Sequence, residues 1–192
     1  MEKFLLVLFS YLLGSVLFGE LIARAKGVNL REVGSGNVGA TNVGRALGKK
    51  FAALVFFLDM LKGFVPTALA LSFYGIESQT VAFVGVACVV GHMYPVFARF
   101  RGGKGVATAF GVVLALSREL AFLVLLLWGA LLLWKRYVSL ASVTGALSAP
   151  VLMLFGNYPD HIVLMALIIA ALILYKHRPN LERLVRGEEL RV

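Results

Sequence analysis

FLLVLFSYLLGSVLFGELI, residues 4–22, carries a single side chain charged at neutral pH, Glu20, two residues from its end. A helix needs about 20 predominantly apolar residues to cross a bilayer, whereas the apolar core of a secretory signal takes about 7 to 15. The stretch is too long for a leader. Ala23-Arg24-Ala25 imitates a small-residue cleavage site, but Met1-Glu2-Lys3 offers no net side-chain charge ahead of the apolar run. The segment therefore reads as the first span of a membrane protein.

The rest of the chain agrees. Sixty per cent of the 192 residues are hydrophobic and 15% are charged, a balance suited to lipid rather than to a water-soluble core. Further apolar segments lie near 51–74, 80–98, 106–117, 119–134, 138–156 and 161–175. These predict an all-α, polytopic bundle of seven spans in one domain, 1–192, with six as the alternative because 106–117 is short. The formal net charge of +9 raises nucleic acid as a partner, but the basic residues sit between apolar segments instead of covering a soluble face. Their placement fixes topology. With the N-terminus outside and the C-terminus cytoplasmic, sixteen of the 19 basic residues fall on the inner side. Cys88, the one cysteine, lies inside an apolar run and provides neither a disulfide nor a thiol metal site.

Three polar motifs share that inner face. In FRGGKGVATAF, residues 100–110, Gly102, Gly103 and Gly105 surround Lys104. The loop fails the nucleotide-binding template because Gly105 stands where Ser or Thr belongs. What remains is a loop whose main-chain N–H groups and following helix start suit an anion, with Lys104 as neutralising charge. In GSGNVGATNVGR, residues 34–45, Ser35, Asn37, Thr41 and Asn42 offer hydrogen bonds, Gly34 and its fellow glycines allow close approach, and Arg45 offers a planar fork for phosphate oxygens. The third motif, HRPNLERLVRGEE (177–189), supplies His177 as proton shuttle or donor, Asn180 as a holder of a hydroxyl or oxyanion, and Glu188 as a structural partner for an inner arginine. Asp59 and Lys62, three residues apart in a span, read as a structural pair offsetting each other's desolvation. Ser142 opens the sixth span facing either substrate or its own backbone. Metal is not expected: no His pair has ligand spacing and no HExxH occurs.

These motifs, together with DMLKG (59–63), GHMYPVFARFRGGKGVAT (91–108) and RYVSLAS (136–142), resemble the bacterial acyl-phosphate-dependent glycerol-3-phosphate acyltransferase family, PlsY, over nearly the whole chain. The resemblance implies an inner-membrane enzyme of phospholipid synthesis without cofactor, moving an acyl chain from acyl phosphate to glycerol 3-phosphate. It implies that Ser35 and Arg45 belong to a catalytic motif, Lys104 and its loop to the glycerol-phosphate site, His177 and Asn180 to the third essential motif, and Glu188 to integrity of the fold. The HxxxxD motif of unrelated acyltransferases is absent, since His92, His161 and His177 are followed five positions later by Phe97, Ala166 and Glu182. An anion transporter and a non-catalytic scaffold are the competing classes, and clustering of the motifs on one face disfavours the first.

Overall fold

A computed structural model describes residues 1–191. Among them it contains helices and no strand. The first span is broken. α1 (Glu2–Gly14) and α2 (Phe18–Ala25) flank a break at residues 15–17. Serine hydroxyls bond back one turn on the approach to it, Ser10 to the Leu6 carbonyl at 2.6 Å and Ser15 to Tyr11 at 2.9 Å, a habit that weakens a helix. The carbonyl of Val16, freed by the break, accepts from the Lys62 ammonium at 2.7 Å.

α3 (Ala40–Leu47) follows the first glycine-rich loop, so the second half of the Ser35–Arg45 motif is helical and not the open loop the glycines suggest. α4 (Lys49–Tyr74), α5 (Gln79–Met93), α6 (Val106–Leu116), α7 (Arg118–Lys135), α8 (Val138–Phe155) and α9 (Asp160–Lys176) form the bundle, and α10 (Arg178–Val185) bends 55° away from α9. Four segments are long and apolar enough to cross a membrane, 2–25, 49–74, 79–98 and 138–155, and a fifth if the bent pair counts as one. The sequence led to seven. The two extra spans would be α6, which has only 11 residues, and α7, which carries Arg118, Glu119 and Lys135 near its ends.

Close backbone contact holds the bundle together, as expected where lipid removes any hydrophobic drive between helices. A Cβ on Gly63 of α4 would lie 2.0 Å from the Thr108 carbonyl of α6, and one on Gly111 of α6 would lie 2.0 Å from the Met60 carbonyl. The two helices thus meet glycine to backbone in both directions. α1 and α5 do the same through Gly14, against the Cys88 carbonyl, and Gly91, against Tyr11. The outer faces expose Phe4, Leu8, Phe73, Phe83, Leu133 and Phe155, side chains that face lipid in a membrane-inserted bundle.

Candidate active site

A cavity of about 450 Å³ runs between α6, α7, α8 and α9 and opens among the two glycine-rich loops and the C-terminal tail. On α8 its lining extends from Ser139 through Ser142, Gly145, Ala146 and Ala149 to Met153. At about 1.5 Å per residue that is a path of about 21 Å. The mouth is polar and the bore apolar: Phe110, Val113, Trp128, Ile169 and Ile173 line the latter, while Ser35, Asn37, Thr41, Arg45, Lys104, His177 and Asn180 gather at the former.

Each polar group arrives by a local reason. Gly34 and Gly36 turn the first loop with φ of 58° and 68°, a region that favours glycine. Asn42, only 1% exposed, organises that loop: its oxygen accepts from the Ser35 N–H at 2.9 Å, and its amide donates to the carbonyls of Leu30 and Val33. With its amide so engaged, Asn42 shapes the position of Ser35. Asn42 lines the cavity; Gly34 does not, and a Cβ there would strike Asn42. Thr41 and Arg45, one turn apart on α3, do line it, and the Arg45 guanidinium makes no hydrogen bond or ion pair among the described residues. Its donors are open to an anion.

The lysine loop is held by the end of α5. The N–H of Gly102 donates to the Met93 carbonyl at 3.2 Å and that of Gly103 to His92 at 3.1 Å, satisfying two of the carbonyls that a helix leaves unpaired at its end. A Cβ on Gly102 would lie 2.0 Å from the His92 carbonyl, and one on Gly103 would lie 2.2 Å from the His92 ring. These two glycines dock the loop on His92 and do not reach the cavity, contrary to their expected part in a phosphate cradle; Lys104 and Gly105 do reach it. Gly105, at φ 75°, begins α6, so the first N–H groups of that helix open on the same mouth.

Across the mouth, the Lys104 ammonium donates to the Asn180 side-chain oxygen. Asn180 in turn donates to Glu189 at 2.6 Å, and Arg183 donates to the other oxygen of the same carboxylate at 2.9 Å. The carboxylate that ties the tail to an arginine is therefore Glu189, whose side chain is 5% exposed; Glu188, the residue expected in that part, is exposed. The reason is a turn at Gly187, φ 74°, which swings the second glutamate inward. Arg183, Glu189 and Ser139 also line the cavity and were not among the expected site residues. A glycine two positions before Glu189 and the one-turn spacing of Arg183 from Asn180 were the available signals.

Burial, with help from the nearby charges of Arg183 and Arg45, lowers the Lys104 pKa to about 8, although Glu189 opposes it. Burial likewise lowers His177 to about 4, with Lys104 adding to the effect. His177 is neutral at physiological pH. Its Nδ1 lies 2.8 Å from the Ile173 carbonyl, and because a carbonyl only accepts, Nδ1 carries the proton and Nε2 an open lone pair.

The in-span pair lies beside His92, on which the lysine loop rests. Lys62 Nζ is 3.0 Å from Asp59 Oδ1, with both side chains buried, and His92 Nδ1 lies 3.8 Å from the same oxygen. Asp59 and His92 reach the cavity wall, Lys62 does not. Ser142 accepts from the Trp128 indole at 3.3 Å and faces the cavity where polar mouth passes into apolar bore. Arg31 of the first loop, paired with Glu20 at 2.9 Å, donates to the Arg101 carbonyl at 2.8 Å, so the first two loops touch directly.

An all-helical membrane protein with a cationic mouth above a long apolar bore is built to hold an amphiphile by an anionic head. A profile of the family described as glycerol-3-phosphate acyltransferase matches residues 4–187. The glycerol-3-phosphate acyltransferase of Aquifex aeolicus is 57% identical over 191 residues, all of both chains, and that of Hydrogenobaculum is 48% identical over 97% of this chain and 95% of its own. The crystal structure of PlsY (YgiH), an integral membrane glycerol 3-phosphate acyltransferase, in its glycerol 3-phosphate form superposes with a TM-score of 0.99 at 56% identity, covering 100% of this chain and 96% of that one. Its lysophosphatidic acid form gives 0.96 at 55%, covering 100% and 95%. The chain belongs to the glycerol-3-phosphate acyltransferase family.

Proposed function

We propose that the protein transfers an acyl chain from acyl phosphate to the 1-hydroxyl of sn-glycerol 3-phosphate, releasing lysophosphatidic acid and inorganic phosphate, as the first acylation of phospholipid synthesis at the cytoplasmic face of a bacterial inner membrane. The observation that carries this reading is the union of Arg45, Lys104, Asn180 and His177 at the mouth of one apolar bore. Both substrates bear phosphate and one bears a long apolar tail. Ser35, Asn37 and Thr41 add hydrogen bonds around the heads, Gly105 admits the first N–H groups of α6, and Ser142 lies where head gives way to tail. Asp59, Lys62, Asn42, Gly34, Gly102 and Gly103 hold the frame.

Acyl phosphate is already an activated mixed anhydride, so alignment and charge stabilisation suffice. The hydroxyl oxygen forms a bond to the carbonyl carbon, the carbonyl–phosphate C–O bond breaks, and phosphate leaves with the electron pair. A base whose conjugate acid has a pKa of about 4 gains little by taking an alcohol proton, so the proton passes to a phosphate oxygen of the donor. His177 Nε2 accepts a hydrogen bond from the hydroxyl and aims it. No acyl-enzyme forms. In the seven-span topology that fits the distribution of positive charge, with the N-terminus outside, α6 and α7 join the five longer candidates.

Purified protein in detergent, given acyl phosphate and glycerol 3-phosphate, is expected to release inorganic phosphate and form lysophosphatidic acid in equal amounts. Absence of release, with uptake of glycerol 3-phosphate into vesicles, would assign the protein to transport. An acyl ester trapped on Ser35 would overturn direct transfer.

A further inference from the structure

The bore has a floor. Along α8 the cavity-facing residues are small from Ser142 through Gly145, Ala146 and Ala149, a stretch of about 11 Å at helical rise, and then become Met153. On α9, running the opposite way, the lining ends at Met165. Met153 and Met165 are 0% and 2% exposed. Past them the core closes: Leu120 and Ile162 belong to the same buried cluster yet do not line the cavity. Met165 is set back by a glycine of α5, because a Cβ on Gly85 would lie 2.5 Å from its Sδ and 3.0 Å from Val112. Methionine is unbranched and yields easily, so a methyl group at position 85 moves it, and the empty space beside it is the cavity it lines.

We propose that Met165, with Met153 beside it and Gly85 behind it, is the stop that sets the length of acyl chain the protein accepts. This rests on the reading of the bore as the acyl-chain site. A chain end that reaches the two methionines fills the bore. A longer one must displace buried side chains, and a shorter one leaves an apolar void, each misfit methylene altering discrimination by roughly 10- to 200-fold.

The test varies position 85 and position 165 in opposite senses in the full-length protein, using saturated acyl phosphates of graded chain length. Gly85→Ala is expected to shorten the preferred chain by about two carbons. Met165→Ala, which removes three heavy atoms from the floor, should lengthen it by about two to four carbons. Met153→Ala lengthens it too, and KM for glycerol 3-phosphate stays within about twofold throughout, because the mouth is untouched. Thermal stabilisation by lysophosphatidic acids of graded length reads the same preference without turnover. A wild type that is stabilised in a length-dependent way but releases no phosphate would sink the acyl-phosphate reading and leave the stop standing. Unchanged length profiles in folded Gly85→Ala and Met165→Ala, by both turnover and stabilisation, would overturn the stop; should Met165→Ala fail to fold, unchanged profiles in Gly85→Ala and Met153→Ala overturn it equally.

Discussion

A lysine with a pKa of about 8 is only partly charged in the alkaline range where most lysines are wholly so. Its depressed value has two opposite consequences. Between about pH 8 and 10.5 the unfolded chain holds a proton on Lys104 that the folded protein has lost, so unliganded stability rises with pH through that window. If Lys104 holds the phosphate as proposed, glycerol 3-phosphate needs the ammonium and binds more weakly through the same window. Titrating the dissociation constant and the melting temperature between pH 7 and 10 should show affinity falling from about pH 8 while the ligand-free melting temperature shows no parallel loss from this group. Lys104→Arg keeps its charge but not the compact ammonium geometry, so it binds less well at pH 7 and its affinity no longer falls with pH. His177 makes the complementary case. Glutamine retains an acceptor and loses basicity, so His177→Gln should lower kcat by less than about tenfold, whereas removal of a true general base costs about 10²- to 10⁴-fold; a loss in that range would restore the histidine as base. At this scale the sequence was informative about residue type and less so about reach. Arg45, Lys104, His177 and Asn180 converge at one mouth, but Asn42 is spent on its own loop and the tail's anchor is Glu189, because only the turn at Gly187 decides which of two adjacent glutamates faces inward.

Among the elements, α6 matters most, since it carries the lysine loop at one end and lies backbone to backbone on α4. The glycines that allow this are of two kinds. Gly111 sets the distance between helices, and a methyl group 2.0 Å from the Met60 carbonyl has no flexible neighbour to yield, so Gly111→Ala should cost about 1–3 kcal/mol by overpacking and lower the melting temperature measurably. Gly103 sets the seat of the loop on the His92 ring. Gly103→Ala should lower the melting temperature less than Gly111→Ala, because a ring and not a backbone has to give, and raise KM for glycerol 3-phosphate by about tenfold or more, as a small displacement of a binding group does; an unaltered KM would show that His92 does not seat the loop. The apolar periods of α4, α5, α8 and α9 were legible because lipid demands long uninterrupted runs. α3 was not, for GATNVGR reads as a turn, and what makes it helical is tertiary: Val43 is fully buried and Asn42 ties the helix to the loop before it. The break between α1 and α2 was hidden for the same reason, its freed carbonyl being satisfied by Lys62 from another helix.

In the molecule as a whole, the depth of the site follows from the shortness of one helix. α6 has 11 residues, about 16 Å of rise against a hydrocarbon core of about 30 Å. In the proposed seven-span arrangement its far end, at Ser117, lies toward the outer interface, which leaves the lysine loop recessed below the inner surface by roughly half of that core. A recessed mouth accounts for the loss of hydration that lowers Lys104, and it brings a water-soluble phosphate down to meet a carbonyl whose chain stays in apolar surroundings. The arrangement also requires the first and second inner loops to share a side, as the contact of Arg31 with Arg101 demands of any topology. Single cysteines introduced at exposed positions decide the orientation, since Cys88 is buried and contributes no background. With a membrane-impermeant maleimide, Glu77→Cys and Asn157→Cys should label in intact spheroplasts, and Lys26→Cys, Arg99→Cys and Arg186→Cys only in inverted vesicles. Labelling of Lys26→Cys and Arg99→Cys from opposite sides would separate Arg45 from Lys104 and dismantle the site; the same side with reversed sign would keep the site intact and move it to the outer face, where a cytoplasmic phosphate ester could not reach it.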